Sequence, residues 1–154
     1  FLTSFEESFA NGNLRVLNNE RSKYQMIVYG MPNWMNGDIL RLDYLNDYNT
    51  RISDGFLVDT LKLSGKAFIL NYQADYAHEP SRYSYLGYDV MGFITDAVKS
   101  FGKNFLDGVC SRRYPGLAYK FDISKNKIGD KLNYYENRHL YVFEIKDYQW
   151  LKTW

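Results

Sequence analysis

His78 and His139 are the only histidines in the sequence, and Cys110 is its only cysteine. A nucleophilic triad or a zinc site needs an imidazole next to a nucleophile or next to further ligands. His78 sits in the turn-like "AHEP" and His139 opens the strand-like "HLYVFEI", and neither neighbourhood supplies such partners. Arg112 and Arg113 follow Cys110 closely enough to lower a thiol pKa, yet the same stretch reads equally as a loop holding a small residue. The carboxylate pairs Glu6–Glu7 and Asp43–Asp47 could serve acid–base chemistry, and they suit a solvated helix face at least as well. No glycine pattern of a phosphate-binding loop is present. The residues therefore point to a protein with no catalytic residues, no metal ligands and no cofactor, that is, to a non-enzyme.

Composition narrows the remaining classes. Nineteen basic and eighteen acidic residues leave a net charge of +1, which gives no electrostatic case for a nucleic-acid partner or an acidic membrane surface. Fifteen Tyr, ten Phe and three Trp make 18% of the chain. So many rings can build a stacking surface, although tyrosine-rich cores are the commoner use. A single cysteine excludes an internal disulfide. No apolar run approaches the roughly 18 residues of a membrane span. With 154 residues, the sequence is long enough for one domain (1–154) with a sizeable core. It opens at Phe1, with neither a methionine nor a signal peptide, and reads as part of something longer.

The elements that must position any site alternate between strands and helices. "FLTS" reads as extended, then a helix follows with Ser4 as N-cap, Glu7 completing a capping box, and Phe9, Leu14 and Leu17 on one side. "YQMIVYGMP" is a short apolar run stopped by Gly30 and Pro32, the pattern of a buried parallel strand. A short helix carrying Ile39, Leu42 and Leu45 and a strand in "TRISDGFLVD" come next. Leu61, Phe68, Ile69, Tyr72 and Tyr76 form the stripe of one helix. A second helix starts behind Pro80 with Ser81 as N-cap. Leu86, Val90, Phe93, Ile94, Ala97, Val98 and Phe101 form its stripe, and Gly102 its stop. Strands are expected at 117–123 and 139–145, and the polar "SKNKIGDKLNYYEN" between them is too long for a tight turn.

This order, together with several short motifs, resembles the C-terminal half of type I periplasmic solute-binding proteins of the leucine/isoleucine/valine-binding kind. The carrying residues are Gly30, Pro32 and Trp34 in a "Gly-x-Pro-x-Trp" loop, Tyr76, Glu79, Pro80 and Ser81, then Tyr83, Gly87, Tyr88 and Asp89. Gly116, Phe121, Asp122, Gly129 and the closing "VFEIKDYQW" are similar to the family's final hairpin and strand. "VYGMPNW" is most similar to a branch in Gram-negative envelopes whose members can carry LysM repeats. The resemblance implies an α/β fold: a layered Rossmann-like lobe with a mostly parallel sheet and antiparallel C-terminal strands. It also implies that 1–154 is the C-terminal portion of a larger two-lobe protein. The segments matching 60–76 and 82–101 would then cover the other lobe, and a homodimer through their exposed faces is one consequence.

In that family, ligand sits in a cleft lined by loops at the carboxyl ends of strands. The matching loops here begin at Ser4–Phe5 and Pro32–Asn33–Trp34, so Phe5, Asn33 and Trp34 are the expected ligand-binding residues. Amino-acid binders of the family place an acidic residue on the second loop; none is present, and an unpaired ammonium would be costly there. An aromatic with an amide suits a neutral or sugar-like ligand instead. The resemblance thus implies a small-molecule ligand, an envelope or transport partner, and a periplasmic or cell-envelope location. A structural or peptidoglycan-associated domain that keeps the fold without a working cleft is the alternative. Tyr83, Tyr85 and Tyr88 are expected to pack, with Gly87 permitting close approach of a neighbour.

Overall fold

The computed structural model describes residues 4–154, so the extended start expected at 1–4 lies outside it except for Ser4. In chain order the elements are α1 (Glu7–Glu20), β1 (Tyr29–Gly30), α2 (Leu42–Asp47), β2 (Arg51–Asp54), α3 (Leu63–Tyr76) and α4 (Arg82–Phe101). There follow α5 (Phe105–Gly108), β3 (Tyr114–Pro115), β4 (Lys120–Phe121), β5 (Ile123–Ile128), β6 (Lys131–Asn137), β7 (Tyr141–Lys146) and β8 (Gln149–Lys152). The fold is mixed α/β, and the chain divides into two units: residues up to Asp54 with Leu140–Trp154, and Gly55–His139.

The first unit holds a four-stranded sheet in the order β1–β2–β7–β8. Only β1 and β2 are parallel; β2–β7 and β7–β8 are antiparallel. The mostly parallel sheet expected from the sequence is corrected accordingly. The reason is local at one end: Asp147 and Tyr148 both have positive φ (52° and 62°), the backbone of a tight hairpin turn. A connection that short can only pair strands antiparallel, since a parallel pair needs a crossover of a dozen or more residues. β7 alternates as a one-faced strand must, with Tyr141, Phe143 and Ile145 buried. Ile145 joins Leu14, Val28, Trp34, Leu45 and Ile52 in one apolar cluster beneath α1.

Helix α1 is anchored by Ala10 and Leu14, and Leu17 packs against the same cluster, but Phe9 points to solvent. Glu6 occupies the N-cap and no side chain caps the helix there; Ser4 Oγ accepts instead from the Glu6 N–H at 3.1 Å. Ile39 lies outside α2 and is exposed.

The second unit is built around α3 and α4. The start of α4 is as expected: Ser81 Oγ accepts from the Ser84 N–H, and Ser84 Oγ accepts from the Ser81 N–H, a reciprocal cap. Its buried row is Tyr85, Asp89 and Ala97, with Phe93 half-buried, while Ile94 and Val98 of the expected stripe are exposed. Aromatics fill this unit: Phe68 lies 4.9 Å from Tyr85 and 4.8 Å from Tyr88, and Phe93 stacks on Phe121 at 4.6 Å. Tyr85 is therefore the packing tyrosine of its group, and Tyr83 is 80% exposed. A Cβ on Gly87 would meet nothing within 4 Å, so the close approach expected there is absent among the described residues.

One further expectation is corrected in this unit. Segment 117–123 contributes only Lys120–Phe121, paired with β3, and Ile123 begins a different strand. The polar stretch, too long for a tight turn, is the hairpin β5–β6, turning at Gly129 with φ 60° and carrying an irregularity at Asn126/Lys127. Its residues are mostly exposed on both faces, which removes the alternation that would have revealed it.

Candidate functional site

The parallel pair β1–β2 gives the first unit a carboxyl edge, and two segments meet beyond the end of β1. The Asn33 side-chain amide donates to the Phe5 carbonyl at 2.9 Å, and the Trp34 indole N–H donates to the Ser4 carbonyl at 3.3 Å. Phe5 and Asn33, distant in sequence, are thereby brought together.

The Trp34 ring packs inward. It is 1% exposed and belongs to the apolar cluster. Gly30 explains how: a Cβ at that position would overlap the Trp34 ring, so the missing side chain is the space into which the indole folds. Pro32 opens the 3₁₀ turn Pro32–Asn36 that carries the ring back. The Gly-x-Pro-x-Trp spacing thus packs the Trp34 indole, the ring expected from the resemblance to line the ligand site, into the apolar cluster.

What faces outward is an aromatic ring, with one unpaired acceptor buried nearby. Phe5 is 64% exposed, and Asn33 Oδ1 has no hydrogen-bond partner although its atom is buried. An unpaired acceptor at such a position is costly unless something donates to it. A ring that can stack and an amide oxygen that can accept are suited to a neutral ligand with hydroxyl or amide donors.

The other candidates are already engaged. Glu7 accepts from the Ile39 N–H at 3.3 Å and Glu6 from the Ser8 hydroxyl at 2.9 Å. Asp43 pairs with Arg41 and Asp47 with Arg21. Arg112 is bound by Asp96 and Arg113 by Asp122, so neither arginine next to Cys110 is free. His78 packs edge-on against Tyr72 at 5.4 Å with Nδ1 2.8 Å from the Glu79 carbonyl. Among the described residues, no group of three or more His, Cys, Asp or Glu is placed to hold a metal, and no helix is long and apolar enough to cross a membrane.

The Gly-Tyr-Asp step has a role that sequence reading missed. Asp89 is 1% exposed and accepts three backbone N–H bonds, from Leu117 at 2.6 Å and from Ala118 and Tyr119 at 2.8 Å each. Gly116 makes room for it, since a Cβ there would lie 2.6 Å from the Asp89 carboxyl carbon. The carboxylate therefore pins the 116–119 loop to α4.

With this geometry in hand, the fold can be set beside known structures. No family model matches the sequence, and no curated protein does. A crystal structure described as a "putative branched-chain amino acid ABC transporter from Rhodospirillum rubrum" is similar over 99% of this chain, with a TM-score of 0.54 at 15% identity. A substrate-binding protein from Desulfitobacterium hafniense, solved in complex with Leu, has a TM-score of 0.46 at 11% identity over 94% of the chain and 41% of its own. The chain spans 43% of the length of the Rhodospirillum rubrum protein. That likeness establishes the fold alone: this chain has the architecture of part of the Rhodospirillum rubrum protein.

Proposed function

We propose that this chain is a non-enzymatic, extracytoplasmic ligand-binding module of the periplasmic solute-binding type, and the C-terminal portion of a larger two-lobe protein. The fold supports this reading, and one observation carries it: the Asn33 amide donates to the backbone carbonyl of Phe5, whose ring is exposed, and Asn33 Oδ1 is left without a donor at the carboxyl edge of the parallel pair. A single lobe presents half of such a cleft, which accounts for a site with one ring and one acceptor. The ligand is a neutral solute, because no carboxylate stands on the Pro32–Asn36 turn to pair an ammonium. The location is the periplasm or cell envelope, with a transport or envelope partner.

The test is a thermal-shift and calorimetric screen of neutral solutes and amino acids, repeated on Phe5→Ala and Asn33→Ala. A binder stabilises by RT ln(1 + [L]/Kd), and the reading requires that this stabilisation be lost in both variants. A screen in which every stabilising solute stabilises both variants as much as the wild-type chain refutes it. The burial of Trp34 favours the alternative, an envelope interaction domain whose cleft is closed, and that alternative predicts no solute effect at Phe5 or Asn33. Self-association belongs to the same proposal: Leu70, Met91, Ile94 and Val98 on α3 and α4 are exposed apolar side chains, and a second copy can cover them.

A further inference from the structure

The second unit carries a groove of its own between α3 and α4. Its volume is about 520 Å³, within the range of small-molecule sites, and its lining belongs wholly to Gly55–His139. Phe68, Tyr72 and Tyr76 stand four residues apart on α3, which puts them on one face, and Tyr88 comes from α4. Their rings form an unbroken row, with centroids 4.6 Å apart for Tyr76–Tyr72, 5.9 Å for Tyr72–Phe68 and 4.8 Å for Phe68–Tyr88. The Tyr72 hydroxyl accepts from the Ser84 hydroxyl at 3.0 Å, which ties the row to both helices.

The charge in this groove is not balanced. Asp75 lies three residues after Tyr72 on the same helix face and lines the groove. Among the described residues, no basic side chain lines the groove or pairs with that carboxylate. Other carboxylates of the unit are matched: Asp59 with Lys62, Asp96 with Arg112, Asp107 with Lys125 and Asp122 with Arg113. His78 packs against Tyr72 and Tyr76 but is not part of the lining.

A row of rings beside one unmatched carboxylate selects a cation. The face of an aromatic ring attracts an organic cation within about 6 Å of its centroid. A neutral ligand that displaced water from the groove would leave the carboxylate uncompensated, and an anion would be repelled. A bare ammonium is compact and holds its water more tightly than rings can replace it. A methylated ammonium spreads the same charge over an apolar shell, which rings can cover while Asp75 offsets the charge.

We propose that the groove between α3 and α4 binds a small quaternary ammonium ion, with the rings of Phe68, Tyr72, Tyr76 and Tyr88 against its methyl groups and Asp75 supplying the counter-charge. The site lies wholly within the second unit and does not rest on Phe5 or Asn33.

Two-dimensional NMR of the isotope-labelled chain tests it, with titrations of choline, of tetramethylammonium, and of the neutral alcohol that carries tert-butyl in place of choline's trimethylammonium. At least one ammonium ion should saturate shifts at 64–76, 84–88 and 117 by about 10 mM. The alcohol should bind about fivefold more weakly or worse, the weight of one charge contact near water. Asp75→Asn should weaken the ammonium about fivefold and remove its dependence on ionic strength. Tyr76→Leu should weaken it about threefold, while Tyr76→Phe, which keeps a ring, should hold the affinity. Asp75 and Tyr76 are both exposed, so the melting temperature of these variants should stay near wild type. No saturating shift with either ammonium, equal affinity for the alcohol, undiminished affinity in Asp75→Asn or Tyr76→Leu, or a loss in Tyr76→Phe as large as in Tyr76→Leu overturns the proposal.

Discussion

Replacing Asp89 by alanine removes an acceptor on which the N–H groups of Leu117, Ala118 and Tyr119 converge within 2.8 Å. Each buried donor left unpaired costs about 1–3 kcal/mol, and three would sum to as much as about 9. Two effects reduce that sum. The native fold already bears the desolvation of a carboxylate, which alanine relieves, and the 116–119 loop can shift toward water. The expected cost is about 3–5 kcal/mol, as for removing one side of a buried charged arrangement. Asp89→Asn keeps the shape but only one acceptor oxygen. That oxygen does most where Oδ2 now takes the Ala118 and Tyr119 N–H groups, which leaves the amide nitrogen facing the Leu117 N–H, donor against donor. One charge-assisted bond is lost, about 1.5–3 kcal/mol.

Urea unfolding followed by far-ultraviolet circular dichroism reads this, since α3 and α4 are long helices of the second unit. Tryptophan fluorescence reports the first unit separately, because Trp34, Trp150 and Trp154 all lie there. The helical signal should lose stability in the order wild type, Asn, Ala. If both variants stay within about 0.5 kcal/mol of wild type, the range of ordinary surface changes, or if Asn costs more than Ala, the account of Asp89 is wrong.

Gly30→Ala places a methyl group in the Trp34 ring and should cost about 1–3 kcal/mol or more; fluorescence emission should move to the red, and unchanged emission and stability would show that Gly30 does not seat the indole. Burial raises the hydroxyl pKa of Tyr48, Tyr85 and Tyr114 above 10.0. Below that value these phenols are neutral in both states; above it the unfolded chain releases protons that the folded chain keeps, so stability is lost as pH rises through the folded values. The melting temperature should therefore be flat near neutrality and fall above about pH 10, and a flat profile through pH 11 would exclude the effect. Sedimentation at tens of micromolar should show a dimer that Ile94→Lys with Val98→Lys converts to monomer, and a wild-type monomer would refute self-association through α4.

How much of this could be read from the sequence follows from how local each signal is. The ends of α4 are set by Ser81 and Gly102 alone, and both stand where the sequence places them. Strand order is not local: β2 pairs with β7 across an entire second unit, and nothing near Arg51 announces Glu144 as its partner. The bond from the Asn33 amide to the Phe5 carbonyl joins two segments of the chain, and no local pattern announces it. The burial of Trp34 was not legible because the space that accepts it is Gly30, whose relevance depends on the turn between them closing.

The rotation of α4 shows why an apolar count alone misplaces a face. By side-chain hydrophobicity, Leu86, Val90, Ile94 and Val98 should turn inward, and burying each such residue contributes about 1.5–3 kcal/mol. Instead Asp89 takes the buried row, with Tyr85 before it and Ala97 after. Three N–H donors that would otherwise be orphaned outweigh part of an apolar stripe, and the carboxylate fixes the helix about its axis. The consequence is an outward row at Ile94 and Val98 that this chain leaves in solvent. A helix held by a polar pin can keep an apolar face for something else to cover, which a helix held only by its apolar stripe cannot. The Gly-Tyr-Asp step, which offers no chemistry of its own, thereby determines which surface of the second unit is open to a partner.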